Sequence, residues 1–298
     1  MSEEQICGAF GIGGTSTPVP GNVKWEYSNS VNLKYGCWTG WVAMLGTMAA
    51  LATQEGFRGD TTILDGKHGY WQMYGSPFFR EDILLGDLGK VWHLEKTNFK
   101  AYPCCQINHS AILGIERLVR ENNIKPEDID EIVVYADPIQ NTPNRWPPSV
   151  RTQEDAQFAN AYLYALAACY EGKPGPQWNL PSSMKNPRVS NLMPKVKVKL
   201  HPKAAEILSE KAREGGVTVI NSSIVEILVD GRKFTMEVPE PKGAPANPMS
   251  ASELEDKFKH NASFSMLPSN RAEEIIQVIS ELEKLDDVTK LTRLLVIS

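Results

Sequence analysis

The dipeptide Asp230-Gly231 separates two short stretches of the chain, Ser223–Val229 and Arg232–Val238, with no other residue between them. Asp-Gly readily adopts the positive φ angles that a two-residue turn between antiparallel strands requires. The pair is the strongest short-range structural signal in the sequence, and it predicts a β-hairpin. Sheet structure is therefore expected in this part of the chain.

The hairpin belongs to a central region in which strand and helix patterns are mixed. Ile132–Tyr135 has the pattern of a short strand, and Lys195–Leu200 alternates lysine with valine or leucine, which is typical of a strand with one face in water. Helical spacing of apolar residues predicts helices over Ser110–Asn122 and Ala156–Tyr170. The region as a whole is predicted to be α+β.

Both ends of the chain instead show helical patterns. From Trp41 to Ala52 one face is apolar and the other faces carry small residues, which predicts a helix buried on all sides. Residues 1–30 are rich in glycine, proline and serine without sustained periodicity, so we expect a loop or linker there. A proline-rich linker over 239–249 precedes a capping box, Ser250–Glu253, and a helical tail.

The order of these patterns predicts a mixed α and α+β fold. An all-helical domain, partly present and built from both chain ends, would carry an inserted α+β lid domain. The predicted boundaries are 1–96 for the partial helical domain with its N-terminal loop, 97–238 for the lid, and 239–298 for the linker and the return to the helical domain.

Charge and composition limit the class of partner. The chain has 298 residues and a net charge of −5, so it lacks the positive field that binding to a phosphate backbone needs. Its longest apolar stretch, Trp41–Ala52, is too short to span a bilayer. Five cysteines without a CxxC pair favour a reducing compartment, and the acidic start of the chain does not resemble a signal peptide. We therefore predict a cytoplasmic protein that binds neither nucleic acid nor membrane.

The densest cluster of reactive side chains lies within eleven residues, from position 99 to position 109. It contains Lys100, Tyr102, Cys104, Cys105 and His109. A histidine at the start of a helix tends to stay neutral, so His109 is either a proton-handling group or a buried structural residue. No further ligand stands at zinc spacing from the two cysteines, and no metal site is predicted.

One glycine-rich motif is not a phosphate-binding loop, and two other features have both a functional and a structural interpretation. Gly8–Gly14 lacks the preceding strand and the following lysine of a phosphate-binding loop. Lys34 precedes the apolar helix, where it either extends to solvent or, with a second cation, clamps a dicarboxylate. His68 lies in a glycine-containing loop with Asp65, which is either the edge of a site or a plain turn.

A series of motifs in fixed order resembles the MmgE/PrpD family across most of the chain. The motifs are Lys34, AALATQEGFRGD (49–60), ILDGKHGYW (63–71), FKAYPCCQINH (99–109), DAQFANAYLYALA (155–167), NPRVSNLMPKVKV (186–198), VDGRKF (229–234) and PKGAPANPMSASELEDKF (241–258). The resemblance implies a large helical domain that carries an α+β lid, with the active site in the cleft between them. It also implies homodimers that act on small di- or tricarboxylates without a metal or organic cofactor.

The resemblance further implies roles for individual residues. Lys34 and Lys100 would be the active-site lysines, which bind a carboxylate and stabilise the enolate-like charge that forms beside it. His109 would have a supporting or proton-handling role. Substrate contacts are predicted for Tyr102, Cys105 and His68. Members of the family also have a long N-terminal helical region with further acid/base residues, for which we expect no counterpart in this chain.

The leading hypothesis is a lyase of the MmgE/PrpD type, acting as a dehydratase, decarboxylase or isomerase on a small carboxylic acid. It would abstract a proton next to a carboxylate. An alternative is a non-catalytic remnant, or one half of a split enzyme that needs a partner chain. A third possibility is a protein that binds a carboxylate without turnover. The expected partners are a small carboxylate and either a second copy or a missing N-terminal chain.

Overall fold

The computed structural model describes residues 1–16, 40–73, 80–213 and 219–296. The chain divides into two compact units. Unit 1 comprises Met1–Trp92 and Thr142–Pro147, and unit 2 comprises His93–Asn141 and Pro148–Ser298. A mixture of helix and sheet, as predicted, is confirmed. The lid domain and its boundaries remain predictions.

Unit 1 is helical over the residues that the structure describes. Helices α1 (Glu3–Ser16) and α2 (Trp41–Gln54) pack against each other, and the short helices α3 (Tyr70–Met73) and α4 (Glu81–Leu85) follow. The Gln5 side-chain amide donates a hydrogen bond to the carbonyl of Thr53 at 3.2 Å, which joins the start of α1 to the end of α2.

The loop expected over residues 1–30 is wrong for residues 3–16, which form α1. The glycines that suggested a loop allow close packing of the helix. A Cβ atom on Gly8 would lie 3.2 Å from Cγ2 of Thr53, and one on Gly11 would overlap the backbone of Asp60. Glycine is needed here because another backbone approaches the helix at these positions.

The prediction that α2 is buried on all sides is also wrong. Of its residues only Ala49 and Thr53 are buried, whereas Trp41, Met48 and Leu51 are each more than half exposed. α1 covers one face of α2, where Gly8 lies against Thr53. The large apolar side chains lie on the uncovered faces of the helix.

Unit 2 contains thirteen helices and strands among its described residues. In chain order they are α5 (His109–Glu121), β1 (Ile129–Ala136), α6 (Gln153–Phe158), α7 (Asn160–Cys169), α8 (Pro181–Met184), α9 (Pro187–Leu192), β2 (Val196–Leu200), α10 (Ala204–Arg213), β3 (Ser223–Val229), β4 (Arg232–Val238), α11 (Ala251–Ala262), α12 (Ser269–Ser280) and α13 (Thr289–Leu294). Short 3₁₀ turns connect several of them, including Gln106–Asn108 and Pro176–Asn179.

The strands of unit 2 form one four-stranded sheet in the order β2-β1-β3-β4. β1 pairs with β2 in parallel and with β3 antiparallel. The predicted hairpin is confirmed, because β3 and β4 pair antiparallel up to Val229 and Arg232. Asp230 and Gly231 both have positive φ, 47° and 75°, as a two-residue turn of this hand requires. Lys197 and Lys199 of β2 are exposed, which confirms the water-facing side of that strand.

The core of unit 2 lies where α5 packs on β3, β4 and α7. Ile112, Ile115 and Leu118 of α5 are buried, as their spacing predicts. A Cβ atom on Gly114 would lie only 2.9 Å from Cγ2 of Val225, so a glycine there lets α5 approach β3 closely. This packing fixes the start of α5, at His109, relative to the sheet.

The single helix predicted over Ala156–Tyr170 is instead two helices, α6 and α7, separated at Ala159. Ala159 has the extended value ψ 103°, so the chain turns there. The carbonyl of Gln157, which the turn releases, accepts a hydrogen bond from the backbone N–H of Cys105 at 3.0 Å. The break thus holds the reactive 99–109 segment against α6. Across the described part of the chain, no helix is long and apolar enough to cross a membrane.

Candidate functional site

A cavity of about 290 Å³ lies in unit 2. Four parts of the chain line it: the segment from Lys100 to Cys104, Gln157 of α6, the turn from Pro174 to Asn179, and helix α11. Its volume is at the lower end for ligand pockets, which suits a small metabolite. Its polar lining consists of the cations Lys100 and Lys257, the phenol of Tyr102, and the amides Gln157, Asn179 and Asn261.

Lys100 is positioned by backbone contacts on both sides of it. The N–H of Phe99 donates to the carbonyl of Gly243 at 2.9 Å, which anchors the segment to the chain between β4 and α11. The Lys100 ammonium donates to the carbonyl of Cys104 at 3.0 Å. An ammonium has three N–H donors, and because Lys100 makes no other hydrogen bond within the described residues, two stay available to a ligand.

Lys257 enters the cavity from α11, and sequence reasoning did not single it out. The predicted capping box at the start of α11 is confirmed: Ser250 accepts a hydrogen bond from the N–H of Glu253 at 3.2 Å, and Glu253 accepts one from the N–H of Ser250 at 2.7 Å. Asn261 follows Lys257 by four residues, which places both on one face of the helix. Only the motif at 241–258, which contains Lys257, could have drawn attention to it.

His109 is fully buried at the first position of α5. Its ring meets that of Tyr102 edge to face, with the ring centres 5.2 Å apart. Burial is the main cause that lowers the pKa of His109 to about 3, and the charges of Lys100 and Lys257 act in the same direction. The backbone groups of Cys104 and Tyr102 oppose them. The imidazole is therefore neutral at physiological pH. His109 contacts Tyr102, which lines the cavity, but His109 is not a lining residue.

Tyr102 links the cavity to a carboxyl group that sequence reasoning missed. Its hydroxyl donates to Oε2 of Glu116 at 2.6 Å. Burial raises the pKa of Glu116 to about 7, although the hydrogen bond from Tyr102 and the charge of Arg120 lower it. Burial and the charge of Glu116 raise the pKa of Tyr102. Glu116 follows His109 by seven residues, and this spacing on one helix face is the signal that could have indicated the pair.

The two adjacent cysteines differ in their position. Cys104 is buried and lines the cavity, whereas Cys105 is half-buried and is not part of the lining. The N–H of Cys105 is bound to Gln157 and its carbonyl accepts from the N–H of Asn108 at 3.1 Å. These contacts hold the turn that leads into α5. The predicted substrate contact of Cys105 remains a prediction.

Neither of the other two predicted site residues is described within unit 2. His68 belongs to unit 1, where it is exposed in the loop after α2. Lys34 lies outside the described residues. Lys100, Tyr102 and His109 are brought together. Among the residues with a described placement, no three histidine, cysteine, aspartate or glutamate side chains are grouped so that they could hold a metal ion.

The fold and the cavity define an α+β domain with a small cationic pocket. Residues 102–284 match the sequence model of the MmgE/PrpD C-terminal domain. The chain therefore belongs to the MmgE/PrpD family, as its motifs predicted.

Similar characterised proteins are cis-aconitate decarboxylases. The mouse enzyme is 27% identical over 259 residues, which are 84% of this chain and 50% of the enzyme. The human enzyme is 26% identical over 256 residues, with 84% and 50% covered. An Aspergillus terreus enzyme is 24% identical over 270 residues, with 86% and 53% covered. The chain thus spans about half the length of the curated relatives that it matches.

Proposed function

We propose that the chain works as a lyase of the MmgE/PrpD type on a small di- or tricarboxylic acid. The observation that carries this proposal is the cavity that gathers the Lys100 ammonium, the Tyr102 phenol and three amides beside a buried, neutral histidine. Similarity to cis-aconitate decarboxylases supports the same substrate class. The reaction itself is a decarboxylation, a dehydration or an isomerisation that begins next to a carboxylate.

In this proposal Lys100 binds a substrate carboxylate. Removing a proton, or carbon dioxide, next to a carboxylate leaves negative charge that spreads onto its oxygens. A fixed ammonium stabilises that charge more strongly in the transition state than in the bound acid. The Tyr102 phenol stays protonated, because its pKa is raised, and lies at the same cavity.

The family resemblance implies either a supporting or a proton-handling role for His109. In this proposal its role is the supporting one. A base with a pKa near 3 has little driving force for taking a proton from carbon, since an effective general base has its pKa near the working pH. A neutral imidazole packed edge-on against Tyr102 instead holds the phenol in place.

The assembly and the location in the cell belong to this proposal as well. We propose that the protein acts in the cytoplasm as a homodimer or together with a further chain. Size-exclusion chromatography with light scattering gives the mass of the assembly, and a monomer as active as any assembly would contradict this part.

The activity is tested by incubating the purified chain with cis-aconitate and with 2-methylcitrate, while carbon dioxide and the unsaturated products are followed. We expect Lys100→Gln to lower kcat/KM by about a hundredfold or more, a loss typical for removal of one group that stabilises transition-state charge. Lys125→Gln is the matched control, because Lys125 is an exposed lysine of unit 2 outside the cavity. An unchanged kcat/KM for Lys100→Gln would reject the proposed role.

A further inference from the structure

Lys257 and Lys100 come from distant parts of unit 2 and line the same small cavity. Lys100 stands on the segment before α5, and Lys257 on the second turn of α11. Two cations that line one cavity repel each other. Such a pair is stabilised when an anion lies between its members.

Two of the three acidic residues near Lys257 on α11 pair with other lysines. Glu253 pairs with Lys242 at 2.9 Å, and Asp256 pairs with Lys173 at 3.1 Å. Among the ion pairs of the described residues, none includes Lys257 or Lys100. Within the described residues, two ammonium groups thus line one cavity and neither is paired with a carboxylate.

The charges of both lysines also act on one buried group. Besides burial, the positive charge of Lys100 and, more weakly, that of Lys257 lower the pKa of His109.

We infer that Lys257 is the second cation of this site, and that Lys100 and Lys257 together select a small dicarboxylate over a monocarboxylate. This inference builds on the proposed function, because it specifies the charge of the substrate that the same cavity takes. Each ammonium binds one carboxylate through charge-assisted hydrogen bonds. A monocarboxylate neutralises one cation and leaves the other unpaired.

The side-chain amide of Asn179 at the cavity is compatible with a ligand that has two carboxylates. The Asn179 amide N–H donates to the carbonyl of Pro103 at 3.2 Å, which holds the turn at Asn179 next to the Lys100 segment. Its oxygen is buried without a hydrogen-bond partner among the described residues. Because this oxygen can only accept hydrogen bonds, it disfavours a third carboxylate beside it. It can instead accept a hydrogen bond from a hydroxyl or an N–H of the ligand.

Calorimetric binding of succinate and of butyrate to the full chain tests the inference, because the two acids share four carbons and differ in charge. We expect the chain to bind succinate more tightly. Lys257→Gln should weaken succinate binding about tenfold or more and change butyrate binding less than about threefold. Lys257→Arg, which keeps the charge, should retain most of the preference.

Lys259→Gln is the matched control on the same helix. The Lys259 ammonium pairs with Glu273 at 2.8 Å and does not line the cavity, so this change should leave both affinities unaltered. Equal succinate affinity of the wild-type chain and Lys257→Gln, or equal weakening by Lys259→Gln, would overturn the inference. Thermal unfolding of each variant separates lost binding from lost folding.

The binding test is independent of turnover. A succinate preference that depends on Lys257 in a chain that converts no acid would support the two-cation site and reject the lyase. Turnover of a dicarboxylate that is unaffected by Lys257→Gln would support the lyase and reject the two-cation site.

Discussion

Glu116 and His109 stand on one helix, and burial drives the pKa of each toward its uncharged form. The pKa of Glu116 rises to about 7 and that of His109 falls to about 3. Both groups contact Tyr102, the first through a hydrogen bond and the second through its ring. The phenol at the cavity is thus held between one neutral ring and one carboxyl group whose charge changes near neutral pH.

The carboxyl group of Glu116 makes the stability of the fold depend on pH. Its pKa is raised from 4.5 in the unfolded chain to about 7 in the folded one, so the folded state binds its proton more strongly. The contribution of Glu116 to stability is therefore largest below pH 4.5, falls as the pH rises through this window, and is lost above about pH 7. Relative to Glu116→Gln, the wild-type chain should lose roughly 2 kcal/mol between pH 5 and pH 7.5.

Urea unfolding of both proteins at the two pH values measures this difference. The glutamine keeps an oxygen that can accept the Tyr102 hydrogen bond and does not titrate. Glu121→Gln, an exposed position on the same helix, is the control and should show the pH dependence of the wild type. If the wild type and Glu116→Gln have parallel pH profiles, the carboxyl group does not titrate in this window.

At the scale of secondary-structure elements, the site depends on how loops meet helices. The break at Ala159 brings the Gln157 carbonyl to Cys105, and the chain after β4 brings the carbonyl of Gly243 to Phe99. Gly243 has a φ of 92° and lies so close to Phe99 that a Cβ atom would overlap the Phe99 carbonyl. This contact fixes the segment that carries Lys100.

Gly243→Ala should therefore destabilise the chain and weaken succinate binding. The alanine suffers both the positive φ, which costs about 1 kcal/mol, and the overlap with Phe99. Gly231→Ala is the matched control, because Gly231 also has positive φ but has open space around it. We expect Gly243→Ala to cost at least about 1 kcal/mol more than Gly231→Ala in urea unfolding. Equal losses of unfolding free energy in the two variants would show that the segment around Phe99 shifts to accommodate the alanine.

At the scale of the whole molecule, the described residues leave several large apolar side chains of α2 exposed. This helix has no charged residue, and Trp41, Met44, Met48 and Leu51 are each more than half exposed. Contiguous apolar surface of this kind promotes association.

Met48→Lys should lower self-association and the binding of an apolar dye, with little change in stability, because the side chain is already exposed. Light scattering over a range of protein concentrations measures the first effect, and dye fluorescence the second. Gln54→Lys adds the same charge at an exposed polar position of the same helix and should change neither. Self-association that is insensitive to Met48→Lys would place the associating surface elsewhere.

Local signals in the sequence predicted part of this structure correctly. The Asp230-Gly231 hairpin, the capping box of α11 and the water-facing strand β2 depend on residues close together in the chain. The family and the candidate residues Lys100, Tyr102 and His109 also follow from short motifs. The glycine-rich start misled the prediction, because Gly8 and Gly11 serve contacts with residues about fifty positions away.

By itself the sequence determined most of the kinds of element, the family and the cluster of reactive side chains from 99 to 109, since backbone torsion preferences and motif order are local properties. Only the tertiary structure decided that Lys257 shares a cavity with Lys100, that α6 and α7 separate at Ala159, and that Glu116 pairs with Tyr102. Burial then set the pKa values of Glu116 and His109. The physical reason is that desolvation and charge–charge interaction depend on distances in space, which packing of remote segments creates.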